Sequence, residues 1–229
     1  ECNFDYYSEG KMKKLLIMLV SCTLLNGSFA DSKDQFMLGD SRIMDVMQSD
    51  LNGDGLDDVV LLVKDTKPDG FQPDQWGNAI VDKNRRGLVA FLKTDDGYQK
   101  VLEHKTIFSS ENENGGIYFP PDLMVSLKKD ILTIYYGHGR YGAWSYTFRY
   151  DQKGDFALIG FDSQNNRGPI ILYTTSINFL TGKKKILTNP DEDNEDWDIK
   201  DFKETWEKLP KAKIIKLSEI EDIDELNIY

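Results

Sequence analysis

Asp50-Leu51-Asn52-Gly53-Asp54-Gly55-Leu56-Asp57-Asp58 runs without a break into Val59-Val60-Leu61-Leu62-Val63. Counted from Asp50, oxygen side chains fall at positions 1, 3, 5 and 9 (Asp50, Asn52, Asp54, Asp58), Gly55 is position 6, and Leu56 offers its carbonyl at position 7. Ca2+ is a hard cation that gathers oxygen ligands, and a loop closing around it turns sharply where glycine sits. The stretch predicts a calcium loop with Asp50, Asn52, Asp54, the Leu56 carbonyl and Asp58 as ligands, and with the ion in a structural role. A metal-free Asx-rich turn is the competing reading, because Asp, Asn and Gly are also the commonest turn formers. Carboxylates crowded into nine residues repel one another unless a cation screens them, which favours the metal.

Position 12 of this count is Leu61, inside a β-branched run, where an EF-hand would place a bidentate Glu and flank the loop with helices. Strands therefore clasp the loop, Ile43 to Met47 before it and Asp58 to Val63 after it. The pattern D-x-N-x-D-G-x-x-D followed by an apolar strand resembles the integrin-like FG-GAP, or VCBS-type, repeat in a single copy. That resemblance implies a Ca2+ loop joining two strands of a β-propeller blade. The chain also looks like a set of small exported bacterial proteins of unassigned function, on the strength of SSENENGGIYFPP (Ser109 to Pro121), HGRYGAWSYTFRY (His138 to Tyr150) and TSINFLTGKK (Thr175 to Lys184). This second likeness implies export and a β-rich single domain, and no activity.

At the start, residues 1–11 read as upstream sequence or a mis-assigned start. Met12-Lys13-Lys14, an apolar run from Leu15 to Leu25 and Ser28-Phe29-Ala30 have the pattern of a secretory signal peptide over residues 12–30. The run is too short to span a membrane. Leu19-Val20-Ser21-Cys22 offers the alternative of a lipoprotein anchored at Cys22. Cleavage after Ala30 would leave residues 31–229 as one exported domain without Cys2 or Cys22, so no disulfide could form and the fold would rest on its core. The first thirty residues carry three acids and three bases, so the exported part keeps the net charge of −11. That charge argues against nucleic acid and anionic lipid, and points to a protein or glycan partner at the cell envelope, in the periplasm or at the surface.

Between Lys64 and Arg86 the chain turns polar, with Pro68, Gly70, Pro73 and Gly77 around Phe71 and Trp76, and reads as a long loop whose aromatics could contact a ligand or pin the loop to the body. A meander of hairpins follows. Gly87 to Lys93 turns into Tyr98 to Phe108, Leu123 to Leu127 into Ile131 to Tyr136, Trp144 to Tyr150 into Phe156 to Phe161, and Ile177 to Leu180 into Ile186-Leu187. Trp144, Tyr146, Phe148 and Tyr150 alternate with Ser145, Thr147 and Arg149, a period of two whose aromatic face belongs in a core. Further on, Ile199, Phe202, Trp206 and Leu209 recur at helical spacing before Pro210, which predicts an amphipathic helix over 198–209 entered through the acidic run 191–196. A short strand at Lys213 to Leu217 and a capping box of Ser218 and Glu221 complete the expectation.

Gly137-His138-Gly139-Arg140-Tyr141-Gly142 matches G-x-G-x-x-G, but the alternating strand after it excludes a dinucleotide fingerprint, which needs a helix there. His138, Arg140 and Tyr141 are then candidates for polar contact with a ligand. Zinc chemistry lacks support with two histidines, His104 and His138, far apart in sequence. Glu111 and Glu113 are the candidate carboxylates for glycoside hydrolysis, with His138 nearby, and a solvated turn is their alternative. Taken together the residues predict a mainly β chain of antiparallel hairpins, a partial propeller-like or sandwich sheet with one C-terminal helix. Its expected function is a Ca2+-stabilised binding module. An envelope-polymer hydrolase using Glu111 or Glu113 is the alternative, and an inhibitor or immunity-type protein meeting a basic partner is the second alternative.

Overall fold

The structure, a computed structural model, describes residues 36, 38–112, 121–193, 198–210 and 213–228, and residues 33–229 form one compact unit. The expected signal peptide, Cys2, Cys22 and Glu113 lie outside the described residues. Among the described residues thirteen strands follow one another: β1 (Ser41–Ser49), β2 (Asp58–Asp65), β3 (Phe71–Pro73), β4 (Ile80–Asp82), β5 (Arg86–Thr94), β6 (Gly97–Phe108), β7 (Asp122–Lys128), β8 (Ile131–Gly137), β9 (Gly142–Tyr150), β10 (Phe156–Arg167), β11 (Ile170–Asn178), β12 (Lys183–Thr188) and β13 (Lys203–Lys208). All pair antiparallel, so the chain is mainly β. One sheet has the order β1-β2-β5-β6, a second runs β13-β12-β11-β10-β9-β8-β7, and β3 pairs with β4 alone. Apart from the inserted β3–β4 hairpin and the passage from β6 to β7 between sheets, each strand pairs with its sequence neighbours, so both sheets are meanders.

The apolar run Val59 to Val63 lies within β2, and every residue of that strand is buried. A strand covered on both faces reads as a continuous apolar run, whereas one covered on a single face alternates. Val59, Leu61 and Val63 pack with Val89 and Phe91 against Phe36 and Leu38. Val60 and Leu62 face the other way, with Leu88 and Ala90, into a core shared with Leu132, Ile134, Tyr136, Tyr146, Phe148 and Phe156 of the second sheet. The alternating segment of β9 supplies that core: Tyr136 and Trp144 stack at 4.6 Å, and Tyr146 lies 5.0 Å from Trp144 and 4.9 Å from Phe161. Offset and tilted ring contacts of this kind stabilise by about 0.5–1.5 kcal/mol beyond area burial.

Four expectations are corrected. The helix over 198–209 is absent: Asp198 caps a 3-10 turn at Ile199–Asp201, and Lys203–Lys208 is strand β13, paired with β12 from Lys183↔Lys208 to Thr188↔Lys203. The helical spacing of Ile199, Phe202, Trp206 and Leu209 was outweighed by an available sheet edge, which suits Thr205 and Trp206. Residues 64–86 are not one long loop, because β3 and β4 form a hairpin inside them. The strand expected at Lys213 to Leu217 reduces to one bridge, Ala157↔Lys216. Ser218 begins no capping box either: its hydroxyl donates to Asp155 at 2.6 Å, and Asp222 caps the next 3-10 turn by accepting from the Asp224 N–H.

Candidate metal centre

The last rung of the β1–β2 hairpin, Ser49↔Asp58, sets the mouth of the loop. Inside it, Asp50 Oδ1 accepts the Gly53 N–H at 2.7 Å and Oδ2 accepts the Gly55 N–H at 3.0 Å. Asn52 Oδ1 accepts the Asp54 N–H at 3.0 Å, its Nδ2 donates to Asp54 Oδ2 at 2.8 Å, and Asp54 Oδ1 accepts the Leu56 N–H at 2.8 Å. Gly53 and Gly55 adopt φ of 81° and 88°, the left-handed conformation that side-chain-bearing residues avoid. These two turns gather Asp50, Asn52 and Asp54 on one side of a short loop that ends on exposed Leu56.

Asp58 is placed differently from the other acids. It is fully buried; Oδ2 accepts the Leu51 N–H at 2.8 Å and Oδ1 accepts the Lys93 N–H at 2.8 Å, across on β5. It therefore straps the loop to the neighbouring strand while Leu51 anchors in the core. Burial pushes its carboxyl above the usual carboxylate range, and the charges of Asp54 and Asp50 push the same way against the two amide bonds. The negative potential of the loop thus reaches its own strut.

Among the described residues no three His, Cys, Asp or Glu side chains converge as a ready metal cage. The donor set is mixed: two carboxylates, one side-chain amide and one backbone carbonyl. All are oxygen donors of the type a hard cation takes. A carboxylate oxygen that accepts one N–H keeps a second lone pair. The residues present therefore fit Ca2+ chemistry through Asp50, Asn52, Asp54 and the Leu56 carbonyl, with Asp58 behind them.

The aromatic candidates sit on separate elements. Phe71 is exposed on β3, and Trp76, 62% exposed, rides the tip of the β3–β4 hairpin, where Asp74 Oδ1 accepts the N–H groups of Trp76 and Asn78 at 3.0 and 2.8 Å. The 3-10 turn Gly139–Tyr141 presents Tyr141 at 67% exposure, with the Arg140 guanidinium 5.5 Å from its ring centre. His138 is turned inward. Its ring lies 6.1 Å from Tyr136 and 6.2 Å from Trp144, and its Nε2 is buried without a hydrogen-bond partner among the described residues. The glycine that closes this turn, Gly142, has φ of 111°, and a Cβ there would meet the Gln164 carbonyl at 1.9 Å.

Glu111 belongs to an ionic cluster around buried Lys64 and Arg86 that the sequence did not reveal. Its two oxygens accept from Lys64 Nζ and Arg86 Nη1, each at 3.1 Å. Lys64 Nζ also donates to the Ser110 carbonyl at 2.9 Å and pairs with Asp82 at 3.2 Å, and Arg86 Nε donates to the Ser109 carbonyl at 2.9 Å. Burial alone would raise Asp82, but the Asn84 backbone N–H and side-chain amide, with the Lys64 ammonium, outweigh it and hold its carboxyl below the usual range. Tyr136, beside this cluster, is pushed up by burial; Ser109 and Arg86 lie close enough to oppose that without reaching hydrogen-bonding geometry at its hydroxyl. Burial and neighbouring Asp222 likewise raise Asp224, against His138, Arg85 and Arg86. The available signal was the charge of Lys64 in the same register as Val60 and Leu62, on the core-facing side of an apolar strand.

No family model matches the chain, and no curated protein matches it. A solved structure described as a Xanthomonas Type IV secretion system related protein is similar over 70% of this chain and 57% of its own, with 19% identity and a TM-score of 0.29. The chain therefore spans little more than half the length of that structure. Among the described residues no helix is long and apolar enough to cross a membrane.

Proposed function

We propose that this protein is an exported, calcium-stabilised binding module of the bacterial cell envelope, with no catalytic activity of its own. The observation that carries the reading is the 50–56 loop, where two left-handed glycines collect Asp50, Asn52 and Asp54 beside a buried carboxyl raised in part by their charge. A cation bound by those oxygens removes the repulsion and fixes the β1–β2 hairpin, as the resemblance to a single FG-GAP-type loop implies. A sandwich is favoured over a partial propeller because both large sheets contribute to one core. Glu111, the hydrolase candidate, has both oxygens engaged by buried cations, which suits a structural counter-ion better than a general acid. Recognition falls to exposed aromatics, Phe71 and Trp76 on the β3–β4 hairpin and Tyr141 beside Arg140 on the 3-10 turn.

The double variant Trp76→Ala/Tyr141→Ala tests the recognition half. Both side chains are more than half exposed, so the melting temperature is expected to stay within about 2 °C of the parent. Retention on a cell-envelope fraction, sacculi with their attached proteins, is expected to fall at least severalfold. Undiminished retention would remove these loops from the account.

A further inference from the structure

The outward face of the seven-stranded sheet holds a groove of about 410 Å3, lined by Tyr135, Ser145, Asp162, Gln164, Thr174 and Ser176, with Lys185 and Leu187 at one end. We infer that this groove binds a neutral glycan chain laid across the strands, a second site that goes beyond the turn aromatics proposed above and does not depend on them.

Strand register defines the floor. Residues directly paired across antiparallel strands share a face. The pairs Tyr135↔Ser145, Ser145↔Asp162, Asp162↔Ser176, Ser176↔Lys185 and Lys185↔Trp206 therefore form a single row across six strands. The adjacent row runs through Gly137, Ala143, Gln164, Thr174 and Leu187. Both rows face away from the core that Tyr136, Tyr146 and Phe148 enter from the other side.

Three properties of these rows point to sugar. Firstly, the side chains of Ser145, Asp162, Gln164, Thr174, Ser176 and Lys185 make no hydrogen bond or ion pair with another described residue, whereas the interior polar groups Asp58, Lys64 and Asn84 are all engaged. A mixed array of hydroxyls, an amide, a carboxylate and an ammonium matches the vicinal hydroxyl and acetamide groups of a pyranose. Secondly, the lining holds one acid and one base in a chain of net charge −11. The groove itself is locally neutral, and the adjacent row continues to the acids Asp122 on β7 and Glu204 on β13, so the face disfavours polyanions. Thirdly, aromatic rings stand at both ends of the row. The Tyr135 ring rests over Gly137, where a Cβ would lie 3.2 Å from its Cε1, so it leans along the sheet, and Trp206 on β13 is 59% exposed. At the usual spacing between strands these two rings are about 24 Å apart. That span suits an oligosaccharide, whose apolar C–H faces pack on aromatic rings while its hydroxyls meet the polar middle.

Titration calorimetry with neutral tetrasaccharides, of β-1,4-linked N-acetylglucosamine, of β-1,4-linked glucose and of mannose, tests the inference on the parent, Asp162→Ala, Trp206→Ala and Trp76→Ala/Tyr141→Ala. At least one tetrasaccharide is expected to bind saturably, and Asp162→Ala to weaken it about tenfold or more, the effect of losing hydrogen bonds to a charged group. Trp206→Ala should weaken the tetrasaccharide but not the corresponding disaccharide, and polygalacturonate should not compete. Absence of saturable binding to all three overturns the inference, as does binding that survives Asp162→Ala and Trp206→Ala but is lost in Trp76→Ala/Tyr141→Ala. Neither result touches the binding-module reading, which stands or falls on envelope retention.

Discussion

Replacing Lys64 with Met will lower the free energy of unfolding by about 2–3 kcal/mol, below the range for breaking a fully buried ion pair from one side because the carboxylates of Asp82 and Glu111 are partly exposed. The Lys64 side chain is 2% exposed and faces Asp82 and Glu111 at 3.2 and 3.1 Å. Met fills a similar volume, so the loss is electrostatic: two carboxylates and the Ser110 carbonyl lose the ammonium that satisfied them. A urea midpoint shifted down at unchanged slope is the expected signature. The pH dependence changes too. Asp82 is depressed in the folded parent, so its contribution is in place above the unfolded value near 3.8 and is lost as pH falls through the folded value. With Lys64 gone that depression shrinks, and the gap between parent and variant narrows as the pH drops below about 4. A gap that stays constant with pH would mean that the cluster stabilises through packing instead.

The second large effect belongs to Asp58. Asp58→Ala removes the acceptor of two buried amides, those of Leu51 and Lys93, and is expected to cost about 2–5 kcal/mol. Asp58→Asn keeps one carbonyl acceptor and should cost about half as much. It also isolates the charge. The folded-state value of Asp58 is raised, so its favourable contribution is complete below the unfolded value near 3.8 and is lost as pH rises through the folded value. The parent should therefore gain from this group on acidification toward pH 4, and Asp58→Asn should not. Equal midpoints for parent and Asp58→Ala in urea would show that the strap contributes nothing.

Sheets and turns were legible wherever one strand face was wet. Trp144 to Tyr150 advertised its period because Ser145, Thr147 and Arg149 face outward, and the loop at Asp50 announced its glycines. The extension of β10 through Ser163-Gln164-Asn165-Asn166 was not legible, because a polar sheet face carries no apolar alternation to count. Residues 198–209 misled for the opposite reason: apolar side chains at helical spacing say nothing of a free sheet edge waiting at β12. In the candidate site, residue type marked Asp50, Asn52, Asp54 and Asp58, but position counting could not show that Asp58 also straps the loop to β5 through the Leu51 and Lys93 amides. The Lys64 cluster was invisible because Asp82 and Glu111 lie 18 and 47 residues away along the chain, and only the folded register brings them to one end of β2.

Thermal unfolding of the protein in EDTA and across a Ca2+ titration, beside Asp54→Ala, addresses the calcium loop most directly. A ligand bound only by the folded state stabilises it by about 2.7 kcal/mol at a hundredfold excess over Kd. The parent is expected to melt higher with Ca2+ and lower in EDTA, with the Asp54→Ala melt unmoved by either. A parent melting temperature that ignores both Ca2+ and EDTA would contradict the account and leave Asp50 to Asp58 as a metal-free turn.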